Sequence, residues 1–94
     1  MLFVIYCIDK PGHGEVRAGT RPAHLNYLDG FKDQLVMAGP TLSEDGAGMT
    51  GSLLIMDFPD LAAAKDFAAN DPYAKAGLFE SVDVKPWKKV LPAA

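Results

Sequence analysis

Ninety-four residues make one domain with a modest core, and a chain this short often gains stability by pairing with a second copy. The hydrophobic share of 49% is ordinary for a packed globule, and a net charge of −3 gives no electrostatic case for nucleic acid or an anionic membrane. The single cysteine, Cys7, forms no internal disulfide, no Cys/His cluster has metal-ligand spacing, no run reaches transmembrane length, and the apolar start lacks the basic flank of a signal peptide, so the expected setting is the cytoplasm.

Leu2 to Ile8 is β-branched and aromatic, and apolar at both parities, which predicts a central strand covered on both faces. Asp9 to Gly14 reads as a loop from its Pro and Gly content, running on to Gly19 with at most one turn at Glu15-Val16-Arg17. A first helix is expected over Pro22 to Gln34. Pro22 suits the first helical position, and Arg21, restricted by the proline after it, suits the cap. Leu35 to Pro40 is a second strand, and Thr41 to Thr50 a polar hairpin connection. Gly51 to Phe58 is a third strand, again apolar at both parities. Pro59 stops it, Asp60 caps, and Leu61 to Ala69 is an alanine-rich second helix able to lie close to a sheet. Asn70 to Tyr73 breaks that helix, Pro72 opens a short turn that Gly77 ends, and Phe79 to Val90 is the last extended stretch. Pro86 there excludes a central ladder position. The order β-α-β-β-α-β defines an α+β chain of ferredoxin-like topology, a four-stranded antiparallel sheet with two helices on one face. The second apolar face of strands one and three requires a cover, and a second copy is the simplest.

Wound at 3.6 residues per turn, the first helix puts His24 on the inward stripe with Leu28, Phe31 and Leu35. His24 has two readings. It is a core histidine satisfied by a carbonyl, or a general acid/base in a pocket between helix and sheet, where the helix start favours the neutral ring and a carboxylate would orient it. Asp71 is an ordinary cap for the turn opened by Pro72, or the carboxylate partner of His24; spacing alone does not decide. Tyr6 and Tyr73 line a pocket or fill the core. Asp9 and His13 read as solvated loop residues, Asp33 as a surface residue and Cys7 as core. Lys85, Lys88 and Lys89 around Trp87 are too few to argue nucleic-acid binding, and no phosphate loop, dinucleotide fingerprint or metal motif is present.

At Arg21-Pro22-Ala23-His24-Leu25, Ala38-Gly39-Pro40, Thr50-Gly51-Ser52, Asp71-Pro72-Tyr73 and Val84-Lys85-Pro86 the chain resembles the YciI-like (YCII-related) family. The resemblance runs from the first strand to the last. It implies a ferredoxin-like fold that dimerises as an α+β barrel and a His/Asp-centred site, carried here by His24 and Asp71. Around that pair the expected substrate contacts are Arg21, Tyr6, Ser52 and Tyr73, with Arg21 placed to steady a developing phenolate or enolate. One relative type is a dehydrochlorinase of a chlorinated hydroxyhydroquinone, and similar barrels include muconolactone isomerase-like enzymes. The family therefore implies elimination or proton abstraction on a small hydroxylated ring, without a cofactor. The segment Ser43 to Met49 is the expected place for substrate choice to differ. The alternative is a dimeric ligand-binding or accessory module whose His/Asp pair is structural.

Overall fold

The computed structural model describes residues 1–93. In chain order the elements are β1 (Leu2–Asp9), α1 (Gly14–Asp29), β2 (Leu35–Leu42), β3 (Met49–Asp57), α2 (Leu61–Asn70), α3 (Pro72–Lys75) and β4 (Phe79–Trp87). The strands form one four-stranded sheet in the order β2-β3-β1-β4, with every neighbouring pair antiparallel. This is the expected ferredoxin-like arrangement.

Parity sorts the two central strands. Phe3, Ile5 and Cys7 of β1 and Leu54 and Met56 of β3 turn towards the helices, where they are buried against Leu28 of α1 and Ala64, Phe67 and Ala68 of α2. The other parity holds Tyr6, Ile8 and Leu53, which are partly exposed on the face away from the helices. Both edge strands carry a proline, Pro40 in β2 and Pro86 in β4, which removes a ladder donor where no further strand pairs. Gly51 sits where three strands draw close. A Cβ there would collide with the Cys7 carbonyl oxygen and stand 2.9 Å from Thr41 Oγ1.

Asp60 caps α2 by accepting from the Ala63 amide at 2.8 Å. Asp71 caps α3, Pro72 takes its first position, and Gly77 leaves the turn at φ +75°.

The first helix departs from expectation. It begins at Gly14 rather than Pro22, and ends at Asp29 rather than Gln34. Pro22 is an interior residue, so Arg21 is not a cap and His24 is not in the first turn. The helix-start argument for a neutral imidazole therefore does not apply. An interior proline removes one backbone hydrogen bond and crowds the preceding turn. The turns before it hold because Arg17 is anchored by long-range contacts, so tertiary structure overrides the local signal. No helix among the described residues is long and apolar enough to cross a membrane.

Candidate acid–base site

Extending the inward stripe of α1 backwards through Pro22 gives Arg17, Arg21, His24 and Leu28, spaced four, three and four residues apart. Three of these are polar, on the helix face that packs against the fold. Arg17, His24 and Leu28 are the buried residues of the helix, while Arg21 is exposed yet lines the cleft beside it.

His24 Nδ1 lies 2.9 Å from Asp71 Oδ1, with both side chains buried. The same oxygen accepts the Tyr73 amide at 2.9 Å. A carboxylate oxygen can only accept, so the hydrogen of this contact sits on Nδ1, and in the neutral ring Nε2 then carries the lone pair. Asp71 therefore caps α3 and orients His24 at once, so its two sequence readings are compatible. No hydrogen bond among the described residues engages His24 Nε2, and no buried side-chain nitrogen there lacks a partner, so Nε2 opens to the cleft.

Tyr73 stacks on His24, with ring centroids 4.0 Å apart and planes 17° from parallel. The Arg17 guanidinium lies over the same ring, 4.7 Å from its centroid. Residues seven apart on a helix are separated by about 10 Å along its axis, room for one aromatic ring between them. Arg17 is held from behind: Nε donates to Asp9 Oδ2 at 2.7 Å and Nη2 to Asp9 Oδ1 at 2.9 Å. Nη2 also donates to Ser52 Oγ at 2.9 Å. Burial works against the Arg17 charge, but the hydrogen bond and charge of Asp9 outweigh it and hold the guanidinium above its ordinary range. Burial raises the Tyr73 phenol, with Arg17 and Arg21 pulling the other way.

The cleft has a volume of about 160 Å³. Arg17, Arg21, His24, Ser52 and Tyr73 form its polar side, and Leu25, Leu28, Leu54, Pro40 and Met49 are prominent on its apolar side. Of the residues expected to surround the pair, Arg21, Ser52 and Tyr73 do line it. Tyr6 does not: its parity in β1 places it on the opposite face of the sheet, level with Leu53. Asp9, read as solvated, is instead the buried partner of Arg17, its side chain 9% exposed. The sequence pattern does not single out Arg17, because a proline at position 22 reads as a helix start and leaves Arg17 in the loop before it. The segment after β2 is closed by its own bonds. Ser43 Oγ donates to Asp45 Oδ1 at 2.6 Å, and the Ala47 amide donates to the same oxygen at 3.0 Å. These bonds hold the Asp45 carboxyl below its ordinary range. The segment ends at Met49, on the cleft wall.

Fold and site together define a small ferredoxin-like α+β protein with a carboxylate-oriented histidine at a cleft between helix and sheet. The family model of the YCII-related domain matches residues 1–88, and the chain belongs to that family. It is 46% identical to Protein YciI of Escherichia coli O6:H1 over 98 aligned positions, covering 97% of this chain and 100% of that protein. An uncharacterized protein of Haemophilus influenzae is 43% identical over the same span. Among solved structures, the 5-chloro-2-hydroxyhydroquinone dehydrochlorinase TftG of Burkholderia phenoliruptrix, in complex with 2,5-dihydroxybenzoquinone, is similar at TM-score 0.86 and 43% identity, covering 94% of each chain. At3g17210 of Arabidopsis thaliana is 13% identical at TM-score 0.51, covering 99% of this chain and 98% of that one, a likeness of fold alone.

Proposed function

We propose that the protein is a cofactor-independent acid–base enzyme, a lyase of dehydrochlorinase type or an isomerase, acting on a small hydroxylated ring compound. The observation that carries this reading is the 2.9 Å contact of His24 Nδ1 with Asp71 Oδ1, which leaves Nε2 facing the cleft. In this reading Nε2 takes a proton from the substrate, and Asp71 holds the tautomer and steadies the imidazolium that forms. Arg21 stabilises the oxygen on which negative charge develops. For an elimination, the ring passes first to the keto tautomer in which the chlorine-bearing carbon is tetrahedral. His24 then takes a second proton, the electron pair left behind forms the new ring double bond, the carbon–chlorine pair departs with chloride, and His24 returns its proton to water. For an isomerisation, His24 returns the proton to another ring atom.

The cleft size supports a one-ring substrate, since an engineered apolar cavity of about 150 Å³ takes one benzene. Its polar side supports a ring bearing oxygen, and Met49, at the end of the 43–49 segment, supports a part for that segment in substrate choice. The 43% identity to a hydroxyhydroquinone dehydrochlorinase supports the reaction class. The same reading has the chain working as a homodimer in the cytoplasm. The partly exposed Tyr6, Ile8 and Leu53 on the helix-free face support a second copy there, closing an α+β barrel.

A panel of chlorinated and unchlorinated hydroxyhydroquinones, followed by chloride release and ring absorbance, tests the activity. Turnover by the wild type that is lost in folded His24→Ala is the expected result. Because Asp71 also caps α3, one observation favours a second reading, a dimeric ligand-binding module with a structural pair. Ring compounds that bind without turning over, together with a His24→Ala variant that loses only stability, would select it. Light scattering tests the dimer; a monomer at micromolar concentration refutes it.

A further inference from the structure

We infer that Ser52 is a hydrogen-bond donor to an acceptor oxygen of the ligand, and that Arg17, buried behind it, is the positioning residue that makes it one. The inference deepens the acid–base reading and rests on the same cleft. Arg17 is 5% exposed, and its two bonds to the Asp9 carboxylate fix the guanidinium against rotation. From that fixed fork Nη2 donates to Ser52 Oγ at 2.9 Å. A guanidinium has no acceptor, so in this contact Ser52 can only accept. One hydroxyl hydrogen is then left over. No other described residue takes it, and Ser52 lines the cleft, so that hydrogen is directed at whatever occupies the cleft.

In the neutral ring His24 Nε2 has the reverse polarity, a lone pair with no hydrogen. The cleft thus offers an acceptor at His24, a donor at Ser52 and the Arg21 cation. The matching ligand carries a proton to give and, on the same small ring, a carbonyl or ionised hydroxyl oxygen to be held. Rings without an acceptor oxygen, or with a cationic substituent, do not match. The Asp9–Arg17–Ser52 chain shares no hydrogen bond with the His24–Asp71 pair, and ligand polarity is the role this inference gives it.

A chromogenic ring, 4-nitrophenol, reads this directly because its phenolate absorbs where the phenol does not. Bound to the wild type it should ionise at lower pH than when free. Ser52→Ala should lower phenolate affinity about tenfold and phenol affinity by no more than about twofold. The double variant Asp9→Leu/Arg17→Met replaces the buried pair with apolar side chains, a change folded proteins often tolerate, and it leaves net charge unaltered. It should lose the same phenolate preference, and adding Ser52→Ala should change it by less than about twofold. A role confined to structure would leave the probe's ionisation unmoved in the folded variants. A wild type that does not bind the probe or does not prefer phenolate, an unaffected Ser52→Ala, or losses that multiply independently, would each overturn the inference. If the pair variant does not fold, Ser52→Ala alone decides. The probe is not turned over, so absence of turnover with every ring compound would remove the proposed activity and leave this result standing.

Discussion

One face of α1 and the chain just beyond it meet two clusters of opposite character. Over the stretch from Arg17 to His24, these two residues take Tyr73 between them and are held by Asp9 and Asp71. Towards its C-terminal end, Tyr27 and Phe31 join Phe58 and Phe67 in an aromatic group with centroids 4.8–6.2 Å apart. The aromatic end needs one polar accommodation, Tyr27 Oη donating to the Phe67 carbonyl at 3.0 Å. Apolar side chains would serve packing as well at the other end, because buried ion pairs add little net stability. The contrast teaches that apolar packing is concentrated at the aromatic end, while the polar end uses its buried groups to fix the orientation of side chains beside the cleft.

The contrast can be broken in order of expected effect. At the polar end, His24→Ala should reduce turnover by about 10²–10⁴ in the assay proposed above. Asp71→Asn should lower kcat more than it raises KM, and the double variant His24→Ala/Asp71→Asn should be scarcely worse than His24→Ala. Fully additive losses would mean that the two residues act separately. At the aromatic end, Phe67→Ala should cost about 3–5 kcal/mol of stability in a urea titration, with kcat of the folded fraction changed only a few-fold. A comparable loss of kcat would erase the division between the two ends.

Alkaline stability sharpens the comparison further. Burial, reinforced by the charges of Asp71 and Asp9, pushes the Cys7 thiol from 9.0 up to about 12. Burial likewise raises Tyr73 at the polar end and Tyr27 at the aromatic end. These groups bind their protons more tightly in the folded protein than in the unfolded chain. Their contribution is therefore complete below about pH 9, and is lost as pH rises through the folded value, each unit of Cys7 shift being worth about 1.4 kcal/mol. Unfolding followed from pH 8 to 11 should show stability falling, and Cys7→Ala should flatten that fall while lowering the starting value. The smallest effect belongs to Tyr27→Phe, which removes one half-buried hydrogen bond and should cost about 1 kcal/mol by thermal melting.

Much of this arrangement is legible in the sequence. The doubled apolar parity of β1 and β3 is a direct record of central strands. Asp60, Pro72 and Gly77 mark their helix and turn boundaries by local backbone chemistry, and the 3.6-residue period puts His24 on the inward face it occupies in the fold. Pro22 misled because proline at a helix start and proline tolerated inside a helix read alike without the long-range anchors of Arg17. Those anchors lie in β1 and β3, at Asp9 and Ser52, and Asp71 is 47 residues from His24, so no spacing rule brings them together. Carrying the four-three-four stripe back past Pro22 was the available signal for Arg17. Tyr6 was legible in the opposite sense: it alternates with Ile5 and Cys7, and so stands away from the face they share.

Asp71 Oδ1 has one further consequence, for what an amide can report. It accepts both the imidazole hydrogen of His24 and the backbone hydrogen of Tyr73. Any event that draws the carboxylate towards or away from the ring alters the protection of that backbone hydrogen from solvent deuterium. The Tyr73 amide is thus a built-in isotope gauge of the His24 ring, readable in the resting protein before any substrate has been identified.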